Sequence, residues 1–140
     1  MKIKFLITSI SSLFYILLSL QIHAQGLGNT KKEIIAGEGE NYLNQTSENG
    51  IPFLLYSTNE TTNASGDYLR GTSYYFKDGI FCTAISIIEP KTESNNWAKF
   101  LNDKYVEKED NYWKDYEKNI LYHLIINEKH CIISIYYDAK

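Results

Sequence analysis

The chain is 140 residues long, with 14 basic and 17 acidic side chains and a net charge of −3. That length gives one domain with a real hydrophobic core. The acidic balance argues against nucleic acid or an anionic membrane as partner, since both need a basic patch, and the single arginine, Arg70, supplies no set of bidentate clamps for phosphate or carboxylate.

Lys2 and Lys4 open the chain, an uncharged apolar run follows from Phe5 to Ile22, and His23-Ala24-Gln25 ends it. A basic head, an apolar middle and a small residue before a polar turn predict a secretory signal peptide over residues 1–24, cleaved after Ala24. The alternative is an uncleaved anchor, because a run of this length sits near the lower limit for spanning a bilayer. Thr8, Ser9, Ser11, Ser12 and Ser19 dilute the run, and its flanks favour the signal peptide. No cysteine in or just after it offers the acylation site of a bacterial lipoprotein. The expected product is a soluble periplasmic or secreted protein, residues 25–140, with no stable membrane anchor. It is a single domain with 12 basic and 17 acidic side chains.

Thr30-Lys31-Lys32-Glu33 fits a capping box and predicts a helix with Ile34, Ile35, Glu38 and Tyr42 at helical spacing, ending before Ser47-Glu48-Asn49-Gly50. Gly37 and Gly39 weaken it by about 1 kcal/mol each relative to alanine. Ile51 to Ser57 reads as a short strand, with Pro52 near its start where a missing amide is tolerated. Thr58 to Arg70, rich in Asn, Thr, Ser and Gly, reads as the longest loop. Asp78-Gly79 predicts a two-residue hairpin turn within Gly71 to Ile88. Folding about it pairs Phe76 with Phe81, Tyr74 with Thr83 and Thr72 with Ile85. Tyr74, Phe76, Phe81, Ile85 and Ile87 then form the core face, and Ser73, Tyr75, Cys82, Ala84 and Ser86 the other.

Past Pro90, Thr92 or Ser94 caps a second helix to about Tyr105, with Trp97, Phe100, Leu101 and Tyr105 as its apolar stripe. Val106 to Glu109, Tyr112 to Tyr116, Ile120 to Ile126 and Cys131 to Tyr137 follow as a meander. The order is α-β-β-β-α-β-β-β-β, and the expected fold class is α+β, two helices packed on antiparallel sheet. Both halves run helix, strand, hairpin; with negligible identity between them, coincidence among common units is favoured over duplication.

A signal peptide, a capped helix beginning TKKE and then antiparallel strands resembles the layout of β-lactamase-inhibitor-like domains and of small outer-membrane assembly lipoproteins, although the lipoprotein cysteine is missing. The segment NNWAKFLNDKY followed by NYWKDY resembles an uncharacterised family of small exported Bacteroidota-type proteins. The resemblance covers element order and implies no activity and no functional residue.

Chemistry-bearing motifs are scarce. His123 and His130 have no partner at zinc-site spacing, and neither cysteine sits in a catalytic context, so no metal, cofactor or catalytic residue is expected. The Gly26-Leu27-Gly28 and Gly37-Glu38-Gly39 runs lack the remaining parts of a phosphate loop. Asp103, Glu107, Glu109 and Asp110 alternate with Lys104 and Lys108, which reads as an exposed charged strand. Three Asn-x-Ser/Thr triplets, at Asn44, Asn59 and Asn63, read as chance products of an Asn-rich bacterial chain. Cys82 and Cys131 either form one disulfide in an oxidising compartment or are two buried thiols.

What remains is aromatic surface. Tyr112, Trp113, Tyr116 and Tyr136 are the candidate binding surface, of the kind that contacts protein or glycan; the alternative is a tyrosine-rich core. The expected function is that of an exported, non-catalytic binding or accessory protein for an unknown protein or glycan. A periplasmic inhibitor or immunity protein is one alternative, the acidic chain complementing a basic target. A small hydrolase using His123 or the Asp103–Asp110 acids is the other.

Overall fold

The computed structural model describes residues 26–62 and 66–139, of which 58–62 and 66–69 are described by their backbone. The expected signal peptide and its cleavage point lie outside the described residues. Helix α1 (Lys31–Glu38) is followed by strands β1 (Leu43–Thr46), β2 (Pro52–Thr62), β3 (Gly66–Tyr75) and β4 (Ala84–Pro90). A 3₁₀ turn, Lys91–Glu93, leads into helix α2 (Ser94–Lys104). Strands β5 (Val106–Glu109), β6 (Tyr112–Asp115), β7 (Ile120–Ile126) and β8 (His130–Tyr137) complete the chain.

All eight strands form one antiparallel sheet in the order β1-β2-β3-β4-β8-β7-β6-β5. Each half is a helix and a four-stranded meander, and the halves join where β4 pairs with β8. Across that seam Ile85-Ser86-Ile87 meets Ile135-Ser134-Ile133, residue for residue.

The expected α+β class, with helices packed on sheet in the order α-β-β-β-α-β-β-β-β, is corrected. One large sheet is the body of the molecule, its helices have only eight and eleven residues, and the first half holds four strands. Two segments account for the difference. Gly39 takes φ 99° and its N–H closes α1 on the Ile35 carbonyl at 2.8 Å, so the helix stops there and Leu43–Thr46 becomes a strand. The expected loop Thr58 to Arg70 continues β2 and β3 as a paired ribbon, from Thr58 opposite Arg70 to Thr62 opposite Gly66. The segment is polar and does not alternate, so its sequence reads like a loop.

The β3–β4 connection also differs. Asp78 accepts hydrogen bonds from the amides of Ile80 and Phe81 at 2.9 and 2.8 Å, and the next residues pair elsewhere: Cys82 N–H donates to Asn29 O, and Phe81 bridges Thr30. The turn opens into a wider loop and the register slips by two, setting Tyr74 opposite Ile85 and Thr72 opposite Ile87. A slip of two keeps every side chain on its face. Tyr74, Phe76, Ile85 and Ile87 are buried as expected; Phe81, which left the ladder, is 47 % exposed.

The capping box forms, with the Thr30 hydroxyl accepting from Glu33 N–H and the Glu33 carboxylate accepting from Thr30 N–H. Neither Thr92 nor Ser94 caps α2; its N-cap is Glu93, without a side-chain hydrogen bond. Trp97, Phe100 and Leu101 are buried on one stripe of α2.

The core lies on one face of the sheet. A row of Leu54, Tyr74, Ile85, Ile135, Tyr122 and Trp113 crosses six strands, each residue opposite the next and all buried. Both helices cover this face. Tyr74 Oη donates to Glu38 at 2.7 Å and Tyr56 Oη to Gly39 O at 2.9 Å, which ties down α1. Trp113 Nε1 donates to Asn102 at 2.6 Å, and Tyr105, just past α2, stacks on Tyr122 at 4.5 Å between ring centroids.

Candidate functional site

Because the helices share one face, the other face of the sheet has no element over it among the described residues. Strand alternation fills it with the intervening side chains. One row reads Phe53, Tyr75, Ala84, Tyr136, Leu121 and Lys114. The next reads Leu55, Ser73, Ser86, Ser134, His123 and Tyr112. A third runs through Gly71, Ile88, Ile132 and Ile125. Most of these side chains are half-buried, shielded by their neighbours and open above.

The relief follows from residue size. The middle row places three serines at the centre, and the flanking rows raise aromatic and aliphatic walls beside them. Phe53 and Tyr75 sit with ring centroids 4.9 Å apart, and Tyr112 stacks on His123 at 3.9 Å and 15°. Ser73 lies at the bottom, 3 % exposed.

Among the described side chains, charge on this face is sparse. Lys114 is held by Asp138 at 2.5 Å and reaches over the Tyr116 ring, and Glu109 stands at the far edge. Partial burial lowers the His123 pKa, which favours the uncharged imidazole. Burial first, and the nearby Tyr112 hydroxyl second, push the Tyr136 phenol up.

Of the four residues expected to form a contact surface, Tyr112 and Tyr136 stand together on this face. Tyr116 lies outside the strands, 62 % exposed in the β6–β7 turn, because Asp115 accepts from the amides of Glu117 and Lys118 and ends β6. Trp113 points the other way and is 1 % exposed. It belongs to the core, since a strand sends neighbouring side chains to opposite faces. Phe53, Tyr75, Ser86, Ser134 and His123 were not singled out as contact residues. Their signal was alternation on the opposite phase from the core residues, legible for Ser73, Tyr75 and Ser86 once the core face was assigned.

The cysteines are two free, buried thiols. Cys131 pairs with Glu89 near one end of β4 and Cys82 precedes the other end. At ~3.3 Å per residue they stand roughly 20 Å apart, against the ~7 Å Cα limit for a disulfide. The expected alternative of a bridge is set aside. Burial pushes both thiols up to about 12, Cys131 with help from Glu89.

Asp103, Glu107, Glu109 and Asp110 are all exposed. Among the described residues no group of three or more His, Cys, Asp or Glu could hold a metal ion. Ser134 lies directly opposite His123 on the open face, but no hydrogen bond joins them and the imidazole is stacked on Tyr112 instead. Nucleophile activation needs a base within hydrogen-bond reach, oriented by a third group. Neither condition is met at this serine.

No family model matches the chain, and neither a curated protein nor a solved structure matches it. Among the described residues no helix is long and apolar enough to cross a membrane.

Proposed function

We propose that this is an exported, non-catalytic binding or accessory protein that takes a protein partner on the open face of its sheet. The observation that carries the reading is the one-sided placement of the helices, which leaves an aromatic, serine-floored, nearly uncharged surface across most of the sheet. Exposed apolar surface that is contiguous rather than scattered marks a contact site. Tyrosine suits such a site because its ring packs while its hydroxyl stays wet. Export rests on the basic-then-apolar residues 1–24.

A photo-reactive residue placed at Tyr136 tests the reading against one placed at Lys99, on the exposed side of α2. In the producing cells, position 136 should capture a protein and position 99 should not. Equal capture from both positions, or none from 136, contradicts it.

A further inference from the structure

We infer that the open face is occupied at rest by the same face of a second copy, and that the protein exchanges this self-contact for its partner. Eight strands at a spacing of ~4.8 Å span ~34 Å, and ~15 Å of strand length gives roughly 500 Å² of flat face per copy. Two copies together thus bury roughly 1,000 Å² before side-chain relief is counted, the size at which a specific interface begins.

Charge favours the same occupant. Burying a charged group against a surface with no counter-charge is costly. Among the described side chains this face carries the Lys114–Asp138 pair, with Lys108 close enough to act on Asp138, and Glu109, all toward one end, so a second copy brings no described charge onto its centre. The geometry is ordinary: two sheets stack ~10 Å apart with their strands within about 30°. Ser86 and Ser134, opposite each other on β4 and β8, lie nearest the middle and leave room for the walls of the other copy. Only the exchange for a foreign partner depends on the open face being the binding surface; the dimer does not.

The test is sedimentation of protein expressed from the 140-residue chain, from low micromolar to high micromolar concentration. The wild type should sediment as a dimer. Ser134→Arg, which places a cation at the centre, should be monomeric with unchanged circular dichroism, its self-association weakened at least ~100-fold. Lys99→Glu should remain dimeric. A wild type that is monomeric throughout overturns the inference, as does a Ser134→Arg variant that stays dimeric.

Should the arginine unfold the chain, Ser134→Cys is the smaller change. A bis-maleimide reaching ~10 Å, the spacing of stacked sheets, should link two copies through the new thiol at position 134 and not through a thiol introduced by Lys99→Cys; links from both, or from neither, overturn the dimer. Buried Cys82 and Cys131 contribute no background. If the wild type is monomeric yet position 136 captures another protein, the binding reading stands and the dimer falls. If the wild type is a dimer and position 136 captures only its own chain, the dimer stands and the exchange falls.

Discussion

Tyr112 and Trp113 are adjacent in the chain, both aromatic and both in β6, yet they belong to different parts of the molecule. Trp113 lies under α2, 1 % exposed, with its indole N–H held by Asn102. Tyr112 lies on the open side, half-buried and stacked on His123. The same contrast runs along the sheet, with Tyr122 beside His123 and Ile135 beside Tyr136. One face spends its bulk on a closed core; the other keeps similar bulk where a partner can reach it. Aromatic content therefore says little about function until the face is known.

The contrast is sharpest in stability. Trp113→Ala should cost about 3–5 kcal/mol by removing a fully buried ring and leaving a cavity. Tyr112→Ala, one residue away, should cost about 1 kcal/mol or less, as for a side chain shielded only by its neighbours. Urea denaturation of both variants measures the gap, and equal losses would break the distinction between the faces.

Next in size is Arg70→Met. Arg70 lies opposite Glu89 on the covered face, with Nε 2.8 Å from the carboxylate and only 4 % of the Glu89 side chain exposed. Removing the cation takes from a buried carboxylate the guanidinium paired with it, and stability should fall by about 2–3 kcal/mol, less than for a fully buried pair because Arg70 is partly wet.

Gly71→Val probes the open face through its backbone. A Cβ at Gly71 would meet the Tyr56 carbonyl oxygen at 2.5 Å, so β2 and β3 would have to part. The expected loss is about 2 kcal/mol by denaturation, although the new side chain is on the uncovered side.

The smallest effect is on pH dependence. His123 has a folded pKa below its unfolded value, so the folded state binds fewer protons than the unfolded chain at mildly acid pH. Its contribution is full above the unfolded pKa of about 6.5 and is lost as pH falls through the lowered folded value. A thermal-melt series from pH 7.5 to 5 should show a decline that is weaker in His123→Gln.

Much of the fold was legible because a one-sided sheet writes its pattern into the chain. Ile120–Ile126 and His130–Tyr137 alternate buried and half-exposed positions, and α2 carries its stripe at helical spacing. The TKKE capping box was readable because its reciprocal bonds are local. Long-range choices were not. Asp78-Gly79 carried the local signal for a tight hairpin, but Phe81 and Cys82 found better partners far upstream, at Thr30 and Asn29. The β2–β3 ribbon, polar and without alternation from Thr58 to Arg70, carried no strand signal of its own. Tyr112 and Tyr136 lie on the open face, whereas Trp113, grouped with them from the sequence, lies in the core, because a four-residue strand with two adjacent aromatics does not declare which phase faces inward. The serine row went unremarked because small residues become a floor only when neighbouring strands supply the walls.

The most direct test of the account is hydroxyl-radical footprinting of the protein in intact producing cells, compared with the same protein purified and diluted. Phe53, Tyr75, Tyr112 and Tyr136 should be protected in cells relative to the dilute sample, while Tyr116 in the β6–β7 turn reacts equally in both. Equal labelling of the four open-face rings in both samples would contradict the claim that this face is where the protein makes its contacts.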